Sequence, residues 1–233
     1  MKKQFGRQSG FTLVEIAIVL VIIGLLLGGI LKGQEMITQA RIKNVTNDFN
    51  GITAAYFSYQ DRYKAVPGDD ARASQRWTTW GVKDGDSNGV ISGKYADNSA
   101  TASLANDGNN ESQKFWWHLR ASGFVPGPTQ STDAGAAIPP NNAVGGIVGV
   151  QNGAFSTNSL AGLVVCSSNV PDKIASAVDT QLDDQRANAG AMRAFTQAAG
   201  TSNPDVATTA TAPTAGQTYT EDGATQYTIC KTV

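Results

Sequence analysis

The sequence has few of the residues on which most enzyme active sites depend. Among its 233 residues there are only one histidine and two cysteines. Neither a His-Glu-x-x-His nor a Gly-x-x-x-x-Gly-Lys pattern occurs. A histidine-rich metal centre cannot be built around His118 alone, and two cysteines are too few for a cysteine-only zinc site. We therefore expect a protein that is not an enzyme.

Charge is also scarce. Charged residues make up 16% of the chain and the formal net charge is -1. Because no basic excess exists, the composition gives no indication of a nucleic-acid partner. The length is enough for one anchoring helix and one globular domain of ordinary size.

The longest apolar run lies close to the N-terminus. From Phe11 to Leu31 the only polar side chains are those of Thr12 and Glu15. A helix of this length spans roughly 31 Å, which is the thickness of the hydrocarbon core of a bilayer. The run follows a short leader with a basic bias, which predicts a cytoplasmic N-terminus and places the rest of the chain outside. The basic residues of that leader are Lys2, Lys3 and Arg7.

Glu15 is unusual because a carboxylate within an insertion segment costs free energy, although less near the end of the segment than at its centre. Such a residue is expected to have a partner, and an amine is the simplest one. Cleavage between Gly10 and Phe11 would create an α-ammonium four residues before Glu15, at the electropositive start of the helix. In a packed array of helices, Glu15 would instead neutralise the ammonium of a neighbouring subunit.

The segment Gly10-Phe11-Thr12-Leu13-Val14-Glu15, with its basic leader and the apolar run that follows, resembles the prepilin-peptidase site of type IV pilins and type II secretion pseudopilins. The resemblance implies that the leader is removed after Gly10, that Phe11 becomes the N-methylated first residue, and that Glu15 guides helix docking during assembly. One departure is the lack of proline inside the apolar run, where many major pilins have one.

The same resemblance implies partners and a location. The partners are a prepilin peptidase, other pilin subunits, and an inner-membrane assembly platform with a cytoplasmic ATPase. The chain would begin as a single-pass inner-membrane protein with a periplasmic domain and end in a cell-surface filament or a periplasmic pseudopilus. The large outer domain favours a minor or specialised pilin of a type IV pilus-like filament, with a type II secretion pseudopilin as the alternative.

The N-terminus has three other interpretations. An ordinary secretory signal is disfavoured because no small-x-small cleavage pattern clearly closes the apolar run. A simple single-pass anchor explains neither Glu15 nor the abrupt boundary between Gly10 and Phe11. A membrane-tethered binding module that never polymerises stays open.

The helix is expected to continue well beyond the membrane segment. No proline occurs between Lys32 and Tyr63, and apolar residues recur at three- and four-residue steps. We therefore predict one spine helix of about 50 residues with an apolar first half and an amphipathic second half. The predicted fold is α+β and pilin-like, with this helix packed on an antiparallel sheet that carries long loops. The expected divisions are a leader at 1–10, a membrane half at 11–33 and an outer domain at 34–233.

Cys166 and Cys230 both follow the membrane segment, in a compartment that permits disulfides. A bond between them would close a loop of about 65 residues, which the chain-entropy model values at about 4 kcal/mol. Two unpaired buried thiols are the alternative.

One loop has the pattern of a metal site. Asp84-Gly85-Asp86-Ser87-Asn88-Gly89-Val90 matches the first part of an EF-hand-like calcium loop, in which Asp84, Asp86, Asn88 and the carbonyl of Val90 would be ligands. Tyr95 stands where the bidentate carboxylate should be, so we expect Glu111 to complete the calcium site. Weaker candidates for that ligand are Asp97 and Asp107. The alternative is a polar turn held by side-chain hydrogen bonds.

Periodicity and turn residues predict the secondary structure of the remaining segments. Short helices are predicted over 71–80, 112–120 and 172–182, and strands over 146–150, 160–166 and 227–230. Asp69 or Asp70 is expected to cap the first of these helices. Residues 198–226 are expected to form a long exposed segment. Asp183 and Asp184 follow the 172–182 helix at its electronegative end, an unfavourable position that suggests either a partner or simple solvation.

Overall fold

The computed structural model describes residues 12–97, 110–153, 160–198, 200–204, 206 and 219–233. The chain divides into two compact units, one ending at Ala40 and one beginning at Arg41. The helices are α1 (Leu13–Tyr63), α2 (Ala73–Arg76), α3 (Glu111–Ala121) and α4 (Asp172–Leu182), and the strands are β1 (Val148–Asn152), β2 (Leu163–Pro171), β3 (Met192–Thr196) and β4 (Gln226–Thr232).

The first unit contains the apolar part of α1. Its large side chains are exposed, and Leu13 and Leu25 show 87% and 74% of their surfaces. Among the described residues, α1 is long and apolar enough to cross a membrane, by length and composition. Exposure of so many apolar groups to water would be unfavourable, so this part of the helix fits a membrane anchor.

The second unit contains the rest of α1, which has one buried stripe. The stripe residues follow one another at intervals of three or four, so they lie on one face of the helix. They share a hydrophobic core with side chains of the sheet, among them Val150, Val165 and Ile229. The buried stripe consists of Ile42, Val45, Phe49, Ile52, Ala55 and Tyr59.

The sheet has four strands in the order β1-β2-β4-β3, and every neighbouring pair is antiparallel. β2 and β4 occupy the centre, where Cys166 lies directly opposite Cys230. The long helix and the antiparallel sheet confirm the predicted α+β, pilin-like fold.

Several local details differ from the sequence predictions. β3 was not predicted, because Met192-Arg193-Ala194-Phe195-Thr196 lacks β-branched residues except at its end. In the 198–226 segment, Val206 and Tyr219 are buried rather than exposed. α2 begins without a side-chain cap from its preceding residue, Arg72.

Candidate functional site

The expected cleavage site, Gly10 and Phe11, lies outside the described residues. The description begins at Thr12, which forms a reciprocal pair with Glu15. The Thr12 N–H and hydroxyl each donate to Glu15 Oε2 at 2.8 Å. The Glu15 N–H donates back to Thr12 Oγ1 at 3.3 Å. Because α1 begins at Leu13, this arrangement is a capping box that satisfies N–H groups at the start of the helix.

The capping box was not predicted, although its sequence signal, Thr-x-x-Glu before an apolar run, is present at Thr12 and Glu15. Glu15 therefore has a local structural role within its own subunit. That role is separate from the expected pairing of its charge with an amine. A glutamine at this position would keep the capping hydrogen bonds and lose the charge.

The predicted calcium loop is held by hydrogen bonds of its own side chains. Asp86 Oδ1 accepts the N–H of Asn88 at 3.0 Å, and Asn88 Oδ1 accepts the N–H of Val90 at 2.7 Å. Gly89 has a φ of +83°. These are the features of the polar turn that was the alternative to a metal site.

Asp84 has a different role from the predicted one. Its two carboxylate oxygens accept the N–H and the hydroxyl of Ser74, both at 2.7 Å. Ser74 lies in the first turn of α2, so Asp84 caps this helix, whereas Asp70, one of the two expected caps, accepts the N–H of Arg72 just before it at 2.9 Å. Asp84 is not among the residues whose carboxylates converge.

The carboxylates that do converge belong to Asp69, Asp86 and Glu111, each of which places one oxygen within 4.8 Å of the others. Asp69 and Glu111 are buried, whereas Asp86 is exposed. The loop approaches Asp69 closely at Gly85, where a Cβ would lie 2.3 Å from the Cα of Asp69. Glycine is thus needed at this position.

Backbone N–H groups of the loop bind both buried carboxylates. Asp69 accepts from Asn88 and Gly89 at 3.1 and 2.8 Å. Glu111 accepts from Asp86 and Ser92, both at 3.0 Å. Glu111 Oε2 also accepts the Ser92 hydroxyl at 3.1 Å, so every carboxylate oxygen of Asp69 and Glu111 accepts at least one hydrogen bond.

Burial raises the pKa of Asp69, and the negative charge of Glu111 raises this pKa further, while the Gly89 N–H opposes both effects. Among the described residues, ion pairs join Lys32 to Glu35, Lys64 to Asp61 and Arg76 to Asp70, and none reaches this acidic group. The structure therefore brings Asp86 and Glu111 together, as expected, and adds Asp69. Asp97 accepts instead from Lys94 and Asn110, and Asp107 lies outside the described residues.

A buried polar network lies beside this group. Tyr59 of α1 donates to Asp70 Oδ2 at 2.7 Å, and Arg76 pairs with the same oxygen. His118, which is fully buried, accepts the Gly68 N–H at Nδ1 and binds the Lys83 carbonyl through Nε2 at 2.8 Å. This pattern fixes a neutral ring protonated at Nε2. The histidine therefore has a structural role between α3 and the segment that leads to Asp69.

The two cysteines, Cys166 and Cys230, form a disulfide across the central strands β2 and β4. Both are buried, in a hydrophobic cluster with Tyr95 and Phe195. The bond fastens the last strand of the chain to the middle of the sheet.

No curated protein and no solved structure matches the chain. Residues 5–31 match the family model described as the prokaryotic N-terminal methylation motif. The match covers the end of the leader, the expected cleavage site, Glu15 and the apolar run. The chain thus carries the prepilin-type signal of type IV pilins and pseudopilins, which supports a pilin-like or pseudopilin subunit.

Proposed function

We propose that this protein is a structural subunit, a minor or specialised pilin, of a type IV pilus-like surface filament. The observation that carries the proposal is the methylation motif at residues 5–31, placed at the start of a 51-residue helix whose outer part shares the core of an α+β unit. A pseudopilin of a type II secretion system is the alternative within the same class. A tethered module that never polymerises is the alternative outside it.

In this proposal, the prepilin peptidase removes residues 1–10 and methylates Phe11. The apolar side chains of α1, which are exposed in the single chain, leave the inner membrane and pack against the helices of other subunits. The assembly platform and its cytoplasmic ATPase drive this transfer. Glu15 positions the incoming helix by pairing with an α-ammonium in a low-dielectric environment, where an unpaired charge is costly.

The experiment compares Glu15→Ala and Glu15→Gln for incorporation into filaments sheared from cells. Glutamine can keep the hydrogen bonds to Thr12 but carries no charge. We expect both variants to be cleaved and to stay in the membrane, and both to enter filaments poorly. Recovery of normal incorporation by Glu15→Gln would show that only capping matters. Absence of the unsubstituted chain from sheared filaments would favour the pseudopilin or the tethered module.

We also propose that Asp69, Asp86 and Glu111 bind calcium. The donor set suits this ion, since calcium prefers hard oxygen ligands and these three carboxylates come together with two of them buried. A bound cation would relieve the repulsion within the group. Asp84, Asn88 and Val90 of the predicted ligand set would then shape the loop rather than bind the metal.

Calcium that binds the folded chain alone would stabilise it by about 2.7 kcal/mol at a free concentration a hundredfold above the dissociation constant. We expect the unfolding midpoint of the full-length chain in detergent to rise with calcium and less with magnesium, which demands tighter octahedral geometry. Asp86→Asn, at an exposed position, should reduce the calcium effect, and Asp97→Asn should not. An undiminished calcium effect in Asp86→Asn would contradict this assignment.

A further inference from the structure

A second group of carboxylates lies at the C-terminal end of α4. Asp179, Asp183 and Asp184 each place one oxygen within 4.8 Å of the others. Asp179 is fully buried, Asp183 is half-buried and Asp184 is exposed. The group therefore extends from the protein interior to the surface.

This end of the helix is an unfavourable place for three negative charges. The last carbonyl groups of a helix carry a partial negative charge, which favours cations there and disfavours carboxylates. The chain nevertheless folds so that Asp183 follows the last residue of α4, with its N–H donating to the Asp179 carbonyl at 2.7 Å.

Asp179 supplies an independent observation. Tyr219 donates its hydroxyl to Asp179 Oδ2 at 2.6 Å. The other oxygen, Oδ1, is buried without a hydrogen-bond partner among the described residues. A buried carboxylate oxygen without a partner costs free energy, so a ligand that binds it would stabilise the site.

Protein cations do not neutralise the group within the described part of the chain. None of the ion pairs there involves these three residues. Arg186 lines the same hollow as Asp184 without forming an ion pair to it. The stretch 207–218, just before Tyr219, contains no lysine, arginine or histidine in its sequence.

We propose that Asp179, Asp183 and Asp184 form a binding site for a divalent cation of the calcium class. Two of the carboxylates are already oriented by backbone groups: Met192 N–H donates to Asp183 Oδ2 at 2.7 Å, and Arg186 N–H donates to Asp184 Oδ1 at 3.0 Å. A hollow of about 420 Å³ lies beside Asp184 and Tyr219, which line part of it, and it has room for water ligands. Calcium takes six to eight oxygen ligands, so a site with three carboxylates keeps several waters.

The bound ion would fasten the end of α4 to Tyr219, a residue in the segment that leads into β4. It would thereby order the loop around the hollow. This inference is independent of the pilin assignment and of the site at Asp69.

The test is a calcium titration of the full-length chain in detergent by calorimetry, in an Asp86→Asn background that weakens the other proposed site. We expect calcium binding to persist in this background. Adding Asp184→Asn, at an exposed position where folding should be preserved, should weaken that binding on the order of tenfold, because calcium affinity depends on the number of charged ligands. Glu221→Gln is the matched control, since Glu221 lines the same hollow without belonging to the group, and it should leave binding within a factor of about two.

Circular dichroism of each variant verifies that the fold is retained. No calcium binding in the folded Asp86→Asn chain would overturn the proposal. Equal affinities with and without Asp184→Asn would also overturn it.

Discussion

At the scale of single residues, His118 shows how burial controls a charge. Its ring is fully buried beside Tyr59, with ring centroids 6.2 Å apart. Burial lowers the pKa of His118 from 6.5 to about 4, although the Lys83 carbonyl acts in the opposite direction. The folded chain therefore keeps this histidine neutral at pH values where the unfolded chain protonates it.

This difference predicts a loss of stability in acid. Between pH 6.5 and about 4 the unfolded state binds a proton that the folded state does not, so the free energy of unfolding falls as the pH falls. The contribution is complete above pH 6.5, and about 3 kcal/mol is lost by the time the pH reaches the folded-state pKa. His118→Gln, which keeps a donor and an acceptor, should lower stability overall and flatten this part of the pH profile.

The direct measurement is an NMR titration of the ring, which is unambiguous because the chain has one histidine. We expect a midpoint near pH 4. A midpoint near the ordinary pKa of 6.5 in the folded protein would contradict the buried neutral ring.

At the scale of elements, the helices whose apolar residues recur regularly could be predicted from the sequence. α1, α3 and α4 could be predicted because apolar residues recur at helical spacing and prolines or glycines lie near their ends. β3 could not, because its pairing with β4 supplies what its residues lack in strand propensity. The buried Tyr219 was also missed, because its partner Asp179 is 40 residues away in the sequence.

The acidic group at Asp69 illustrates the same limit. The loop pattern indicated Asp86, and Glu111 was expected as the carboxylate that the next element supplies, ahead of Asp97 and Asp107. Asp69 lay outside the pattern because the turn at Gly85 brings the loop back onto it through space. A local motif cannot show which distant carboxylate a loop contacts.

The disulfide between β2 and β4 is expected to contribute substantially to the stability of the fold. Breaking the bond between Cys166 and Cys230, which are 64 residues apart, should cost about 4 kcal/mol by the chain-entropy model. Because the bond joins the two central strands, its loss should lower the unfolding midpoint by on the order of 10 °C. The bond can be removed by a reductant under denaturing conditions or by substituting both cysteines with alanine. The single substitution Cys166→Ala should have a comparable effect. A midpoint unchanged by the double substitution would show that the strand pairing alone holds β4.

At the scale of the whole molecule, two units carry different parts of the proposed function. The apolar unit that ends at Ala40 has the methylation motif and the exposed side chains suited first to a bilayer and then to other helices. The unit that begins at Arg41 has its own hydrophobic core and a disulfide, properties that suit a domain outside the cytoplasm. α1 contributes residues to both units, as expected for the proposed filament subunit.

The mass of the N-terminal peptide tests most directly whether the chain is processed as a prepilin. The protein should be isolated from membranes of cells with and without prepilin peptidase. A Gly10→Val variant, in which a larger residue replaces the small one before the cleavage site, should be isolated alongside it. We predict that the mature chain begins with N-methylated Phe11 when the peptidase is present, and that residues 1–10 are retained without it and in the variant. Processing as a prepilin would be contradicted by a mature chain that begins beyond Leu31, or by an N-terminus that does not depend on the peptidase.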